Sequence, residues 1–256
     1  MDFVDAIILG IIEGITEFLP ISSTGHLIMA GRVLGLEQTE FLKTFEIAIQ
    51  LGAILAVLFL YGRTLLLNQK ILRRVAAAFI PTAVVGLVLY KLIKHVLMEN
   101  ISIILWALCL GGICLIAFEI IFKEKESSTK QLDAISYPQA IAIGLFQSLA
   151  VIPGVSRAAA TIIGGLLQGI SRKTIVEFSF LLAIPTMLAA TGLDLYKNAG
   201  AFSTDQFLFL ATGFIVSFFV AVAAIKFLIR YVQKHTFVIF GVYRIAIALV
   251  FWLSVK

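Results

Sequence analysis

The sequence predicts an all-α polytopic membrane protein, with six transmembrane helices plus two re-entrant helical hairpins in an inverted-topology repeat. Three observations predict it. Of 256 residues, 61% are hydrophobic and 14% charged, with a mean hydropathy of +1.05; a soluble domain is about half apolar and about a quarter charged. Six apolar segments have the length a spanning helix needs, about 20 residues. Two further apolar regions are broken near their middles by proline, glycine and hydroxyl residues.

The elements follow in order. The start, Met1-Asp2-Phe3-Val4-Asp5, is acidic where a signal peptide is basic, and no small-residue cleavage site follows, so no cleavable signal is expected. The first repeat, 1–122, opens with the broken region 3–34, interrupted from Pro20 to Gly25. Neither half is long enough to span, which predicts a re-entrant hairpin; non-helical backbone at membrane depth survives only when buried in protein or lining a cavity. Spans are expected over 45–61, 74–93 and 101–122. Cys109 and Cys114 lie five apart on the third, on different faces, which favours small apolar packing over a disulfide. The most polar stretch, 123–136, carries three Lys, two Glu and one Asp and is expected to be a solvated cytoplasmic linker. The second repeat, 137–256, holds a second hairpin over 137–170, broken from Pro153 to Thr161, and spans over 176–196, 206–229 and 237–254.

The two hairpins align as text. Gly10-Ile11-Ile12-Glu13 leading to Pro20-Ile21-Ser22-Ser23-Thr24 parallels Gly144-Leu145-Phe146-Gln147 leading to Pro153-Gly154-Val155-Ser156-Arg157. Each is followed by a glutamate at the head of a span, Glu46 and Glu177. Three spans per unit is odd, so the second copy must be inverted, and interrupted segments at matching positions point to a site near the midplane. Orientation is read from Lys and Arg in the loops. One side carries Arg63, Lys70, Arg73, Arg74, Lys123, Lys125, Lys130, Arg172, Lys173, Arg230 and Lys234; the other carries only Arg32, Lys43, Lys91, Lys94, Lys197 and Lys256. The richer side is assigned to the cytoplasm, with both termini facing outward. The net charge of +5 thus reads as loop asymmetry, and no nucleic-acid partner is expected.

Buried polar residues carry the expected chemistry. Glu13 and Glu17 are four apart on an apolar helix and share a face. Two adjacent carboxylates within the membrane repel and are costly, so they need a cation, a proton or a hydrated setting near the interface. A Mg²⁺ or Ca²⁺ ion shared with substrate phosphate would satisfy both. Ser22-Ser23-Thr24-Gly25-His26 follows Pro20 and opens another apolar helix. Such residues cap a helix, and its free N–H groups make an anion site. His26 lies within one turn of Ser22 and Ser23, the closeness a nucleophile and base require. Arg157, beside Ser156 in the second hairpin, is a membrane-depth guanidinium whose planar fork suits phosphate; an ion pair with Glu13 or Glu17 is the alternative. Lys226 reads as snorkelling, and Arg244 with Tyr243 either supports the site or reaches the outer interface.

At these residues the sequence resembles the bacitracin-resistance type of undecaprenyl pyrophosphate phosphatase, essentially end to end. The run from Glu13 through Pro20 to His26 resembles the family's first signature; Pro153-Gly154-Val155-Ser156-Arg157 with Thr161 resembles the second. Phe45-Glu46 through Gln50-Leu51-Gly52 and Glu177 through Leu182 extend the likeness. The resemblance implies a bacterial inner-membrane phosphatase that recycles the cell-wall lipid carrier with a divalent cation. It implies catalytic roles for Ser23, His26, Glu17 and Arg157, substrate contacts from Ser22, Thr24, Gly25, Ser156, Arg157 and Thr161, and a metal on Glu13 and Glu17. The expected partners are a polyprenyl diphosphate and membrane lipid, with a homodimer left open. One departure stands out: where the family has Ser-Gly after the arginine, this chain has Ala158-Ala159, then Ala160-Thr161. That loses a hydroxyl and a permissive backbone position, and keeps two other expectations in view: a lipid transporter or flippase, or a non-catalytic polyprenyl-diphosphate binder.

Overall fold

The computed structural model describes residues 1–37, 39–89, 100–124, 128–197 and 206–254. These form ten α-helices: α1 (Phe3–Thr16), α2 (Ser23–Val33), α3 (Glu40–Leu67), α4 (Gln69–Val88), α5 (Ile101–Ile121), α6 (Tyr137–Gln147), α7 (Arg157–Leu167), α8 (Arg172–Lys197), α9 (Phe207–Tyr231) and α10 (Val238–Ser254). Among the described residues the one extended pairing is an isolated bridge between Thr129 and Ile170.

Among the described residues five helical stretches are long and apolar enough to cross a membrane: Phe41–Leu67, Gln69–Val88, Ile101–Ile121, Arg172–Gly192 and Phe207–Tyr231. The segment expected as a sixth span is α10, whose 17 residues sit at the lower end of the spanning range of about 17–25. Large apolar side chains such as Phe59, Leu66, Val88, Ile121 and Leu253 stand exposed on the outer faces. A water-soluble surface avoids apolar patches of this extent, so this one is built to be covered by lipid. Residues 90–93 of the expected span 74–93, and Lys91, Lys94, Lys125 and Lys256 of the charge count, lie outside the described residues.

Both broken regions are helix–turn–helix. A helix of 14 residues such as α1 is about 21 Å long, well short of a hydrocarbon core of about 30 Å, and α2, α6 and α7 are shorter, at 11 residues each. The breaks are narrower than the sequence suggests. Thr24 and Gly25 already belong to α2, and Ala158 to Thr161 already belong to α7. The irregular stretches are 17–22 and 152–156, the second preceded by a 3₁₀ turn over Ser148–Val151. The halves start alike. Asp2 and Asp5 form a capping box at α1, and Ser136 and Gln139 form one at α6.

The packing places the turns at the centre. α1 lies on α9 and α6 lies on α4; α3 also packs on α9 and α8 on α4, while α5 pairs with α10. Matching glycines permit the closest approaches. A Cβ at Gly10 would sit 2.8 Å from the Gly213 carbonyl oxygen of α9, and one at Gly144 would overlap the Ala78 carbonyl oxygen of α4. The largest core cluster runs from Phe18, Leu19 and Ile21 of the first turn to Phe178, Phe180 and Leu181 of α8.

Over its described part the expected linker is mostly exposed but anchored at a few points. Thr129 N–H donates to the Gly169 carbonyl at 2.8 Å, Arg74 Nε donates to the Ile135 carbonyl at 2.5 Å, and Ile135 is fully buried. Glu124 meets Arg172, which also pairs with buried Glu119. An apolar side chain at position 135 and these backbone pairs dock the segment on the helices. Cys109 and Cys114 are both free thiols.

Candidate active site

The two turns bring their polar residues together. Glu13 and Glu17 project from the end of α1, and Glu13 is fully buried. Glu17 is the hub. Its Oε2 accepts from Ser23 Oγ at 2.5 Å and its Oε1 accepts from Arg157 Nη2 at 3.1 Å. The alternative of an ion pair with Glu17 is therefore formed, and the same carboxylate also holds Ser23. Arg157 Nη1 donates to the Ser179 carbonyl at 2.9 Å. Thr161 and Ser179 share a hydroxyl contact of 2.6 Å, and both are fully buried. Thr161 thus supports the strand of contacts that aims Arg157.

Within this cluster two buried groups are left without partners, both oxygens of Glu13 and the Nε of Arg157; elsewhere among the described residues Gln147 Oε1 and Thr191 Oγ1 are left so as well. An orphaned buried polar atom costs about 1–3 kcal/mol, more when charged, and such an exception calls for a reason, a catalytic role or a bound ion or water among them. Glu17, Glu46 and Arg157 all act electrostatically on Glu13, so three acidic side chains and one guanidinium share the region.

The residues of the first turn divide. Ser22 is the one non-glycine residue with a left-handed backbone among those described, at φ 74°. Strain of about 1–3 kcal/mol is typical there and gathers at functional sites. Although Ser22 stands at the N-cap of α2, its hydroxyl caps nothing, and that of Thr24 is likewise uncommitted. The first N–H groups of α2, which no helix satisfies internally, stay open beside Ser23. Ser156, by contrast, caps α7 through Ala159 N–H at 3.2 Å. Gly25 lets α2 approach α5: a Cβ would stand 3.2 Å from Leu108.

His26, expected near Ser23 as acid or base, has two contacts of its own. Its Nδ1 lies 2.7 Å from the Ser22 carbonyl and its Nε2 2.9 Å from the Tyr243 hydroxyl. A carbonyl only accepts, so Nδ1 carries the proton, and neutral Nε2 accepts from Tyr243. Both ring nitrogens are thus committed, one to the i−4 carbonyl and one to the tyrosine. The group that meets the Ser23 hydroxyl is the Glu17 carboxylate.

Three further residues join the cluster: Ser179, which the sequence reading does not single out, and Tyr243 and Arg244, which it leaves between the site and the outer interface. Ser179 holds Arg157, and only its position within an apolar span signals it. Tyr243 stacks on His26, with ring centroids 5.4 Å apart. Arg244 is 1% exposed and donates only to carbonyls: Leu108 at 3.2 Å, Pro20 at 3.4 Å, Ala107 at 3.1 Å and Gly154 at 3.0 Å. Beside the site a mostly apolar groove of about 770 Å³ runs between α1, α2, α9 and α10, with His26, Tyr243, Ile15, Leu19, Met29 and Phe251 in its wall.

The departure at Ala158-Ala159 is accommodated. Both alanines are buried in regular helix, so no permissive backbone is required there, and the uncommitted hydroxyls lie on the first turn instead.

Comparison with known proteins gives one answer. The family model described as bacitracin resistance protein BacA matches residues 6–250. A protein named undecaprenyl-diphosphatase from Persephonella marina is 51% identical over 255 residues, covering 100% of both chains. Relatives of the same name from Aquifex aeolicus (51% over 246 residues, 96% of each chain) and Sulfurihydrogenibium sp. (48% over 253 residues, 99% of each chain) are similar over the same length.

Proposed function

Because the chain belongs to the bacitracin resistance protein BacA family, we propose that the cluster around Glu17 is where it removes the terminal phosphate of undecaprenyl diphosphate. The protein is an undecaprenyl-diphosphatase, a membrane phosphatase that yields undecaprenyl phosphate and inorganic phosphate and so recycles the lipid carrier of the cell wall. A transporter or a non-catalytic binder is not favoured. The observation that carries the assignment of the site is the pair of buried orphans, the Arg157 Nε donor and the Glu13 carboxylate acceptor. A phosphate with a cation satisfies both at once.

The diphosphate enters with its prenyl chain along the apolar groove. Arg157 and the open N–H groups of α2 take the terminal phosphate, with the hydroxyls of Ser22 and Thr24 beside it. Ser23 Oγ attacks the terminal phosphorus while Glu17 receives the hydroxyl proton. The bond to the bridging oxygen breaks and undecaprenyl phosphate leaves. Water then cleaves the phosphoserine, releasing inorganic phosphate and restoring Ser23. Tyr243 and Ser22 fix the His26 ring, which holds the strained first turn in place.

Glu13 and Glu17 are the residues that would hold a divalent cation. No group of three His, Cys, Asp or Glu side chains close enough to ligate one metal occurs among the described residues, so a cation held by these two carboxylates would draw its other ligands from substrate phosphate and water, as suits Mg²⁺ or Ca²⁺. The ion supplies the positive charge that an anionic substrate needs beside three acidic side chains. Purified protein is expected to release phosphate from undecaprenyl diphosphate and to stop in excess chelator; full activity there would remove the metal role. A second reading needs no turnover. Divalent cation should raise the melting temperature of the native chain, and Glu13→Gln, which neutralises an unpartnered buried carboxylate, should keep its stability but lose that rise.

The finer topology belongs to the same proposal: six spans and two hairpins entering from opposite sides in an inverted-topology repeat, with both termini outward in the inner membrane. The exchange of neighbours supports it, since α1 on α9 mirrors α6 on α4 and the capping boxes, Gly10 and Gly144, and Ser22 and Ser156 recur at one constant offset. A reporter that works only outside the cytoplasm should be active when fused to the C-terminus; activity of a cytoplasm-only reporter at that end contradicts the arrangement.

A further inference from the structure

The two turns carry the reacting groups, yet neither turn is held by regular secondary structure. Two side chains join them. One is Arg157, through Glu17, but substrate phosphate must draw on that same guanidinium, so this tie is altered during turnover. The other is Arg244. Pro20 and Gly154, whose carbonyls it binds, each lie two residues before a serine of the site, Ser22 and Ser156. The Ala107 and Leu108 carbonyls, on α5, give the fork a rigid base. No carboxylate neutralises Arg244 in these contacts, and a guanidinium buried without one is costly unless its donors are filled. The sequence makes room for it. A Cβ at Gly111 would overlap Nη2, and one at Gly112 would stand 3.2 Å from the Arg244 Cβ.

We propose that Arg244 is a positioning residue that sets the spacing of the two turns, holding Ser23 and Arg157 in reacting register while the Arg157–Glu17 contact changes hands. This rests on the assignment of the site given above. A backbone-directed clasp is suited to the task because its four acceptors are carbonyls, which do not compete for phosphate. A misplacement of about 1 Å is enough to cost about 10²-fold in rate, whereas binding of the prenyl chain in the groove does not depend on turn spacing.

The test uses purified full-length protein and undecaprenyl diphosphate, with kcat normalised to the folded fraction. Arg244→Ala and Gly111→Ala should each lower kcat by about 10–100-fold with KM changed less than about threefold. Arg244→Lys, which keeps the charge but reaches fewer carbonyls, should fall between them and the native chain. Gly111→Ala leaves Arg244 chemically intact and removes a helix-interior glycine, so it keeps the test decisive if Arg244→Ala does not fold. Gly86→Ala, where a Cβ meets nothing within 4 Å, is the control and should match the native chain. Native kcat per folded molecule in Gly111→Ala and Arg244→Lys, even with a lowered melting temperature, would reduce Arg244 to a structural role and overturn the proposal. A rise in KM alone would also overturn it, by making Arg244 a substrate contact. Arg157→Ala run alongside separates the two levels: if it is inactive while Gly111→Ala is normal, only the Arg244 inference fails; if it is fully active, the site assignment fails and the inference with it.

Discussion

Arg157→Ala is expected to lower turnover by roughly 10²–10³-fold, the usual cost of removing one preorganised donor from a transition-state charge. The contact with Glu17 adds a second consequence. Both side chains are largely buried, at 11% and 7% exposure, and deleting one member of a buried pair leaves the other uncompensated, at a cost of about 3–5 kcal/mol. Ser23 still donates to Glu17, so the loss should fall at the lower end and show as a lower melting temperature. The two effects can be pulled apart. Arg157→Lys keeps a charge for Glu17 and should melt near the native temperature, yet it lacks the fork and its Nε donor and should remain badly impaired. The double change Arg157→Ala with Glu17→Gln removes the stranded charge and should recover stability without recovering turnover. Normal phosphate release by Arg157→Ala, or recovery of both properties together in the double variant, would show that the guanidinium serves only the fold.

Much of this arrangement is legible in the sequence because lipid is an unforgiving solvent. Continuous apolar runs mark α3, α5, α8 and α9, since nothing else satisfies a backbone inside the hydrocarbon. The same rule makes Glu13, Glu17, Ser23 and Arg157 conspicuous where an apolar run is broken. What the sequence withholds is which of them meet. Arg157 and Glu17 are brought together by packing between the halves, and no local pattern encodes it. Arg244 hides for a related reason: a lone arginine within a short apolar helix looks the same whether it snorkels to the interface or turns inward. The clue lay on another helix, in the adjacent Gly111 and Gly112 that its side chain packs against. The left-handed Ser22 is equally silent, because residue type points to Gly25, which is helical, as the flexible position. His26 shows the limit of spacing arguments, for a residue on the correct face can still spend its ring nitrogens on a carbonyl and a tyrosine.

Glu17→Gln is expected to be the other near-complete loss. The carboxylate serves two donors at once, Ser23 Oγ on Oε2 and Arg157 Nη2 on Oε1. An amide of the same shape offers one acceptor, which Arg157 will claim, and turns its NH₂ toward Ser23. The serine hydroxyl then accepts where it had donated, and no group remains to receive its proton. General-base catalysis is worth about 10²–10⁴-fold, and turnover should fall by that order; because Arg157 loses its counter-charge, the melting temperature should fall too, so turnover is compared per folded molecule. The response to divalent cation should weaken too, because one of its two carboxylates is gone. Ser23→Ala should be as impaired as Glu17→Gln, and the double variant no worse than either, because a nucleophile and its base fail as a unit and their losses do not add. Losses that multiply in the double variant would mean that the two residues act in separate steps, with water rather than Ser23 attacking phosphorus. A pulse of undecaprenyl diphosphate labelled in its terminal phosphate gives the direct check: a labelled Ser23 in quenched native enzyme, absent from Ser23→Ala, is the expected result, and turnover with no trace of label on the protein would assign the attack to water.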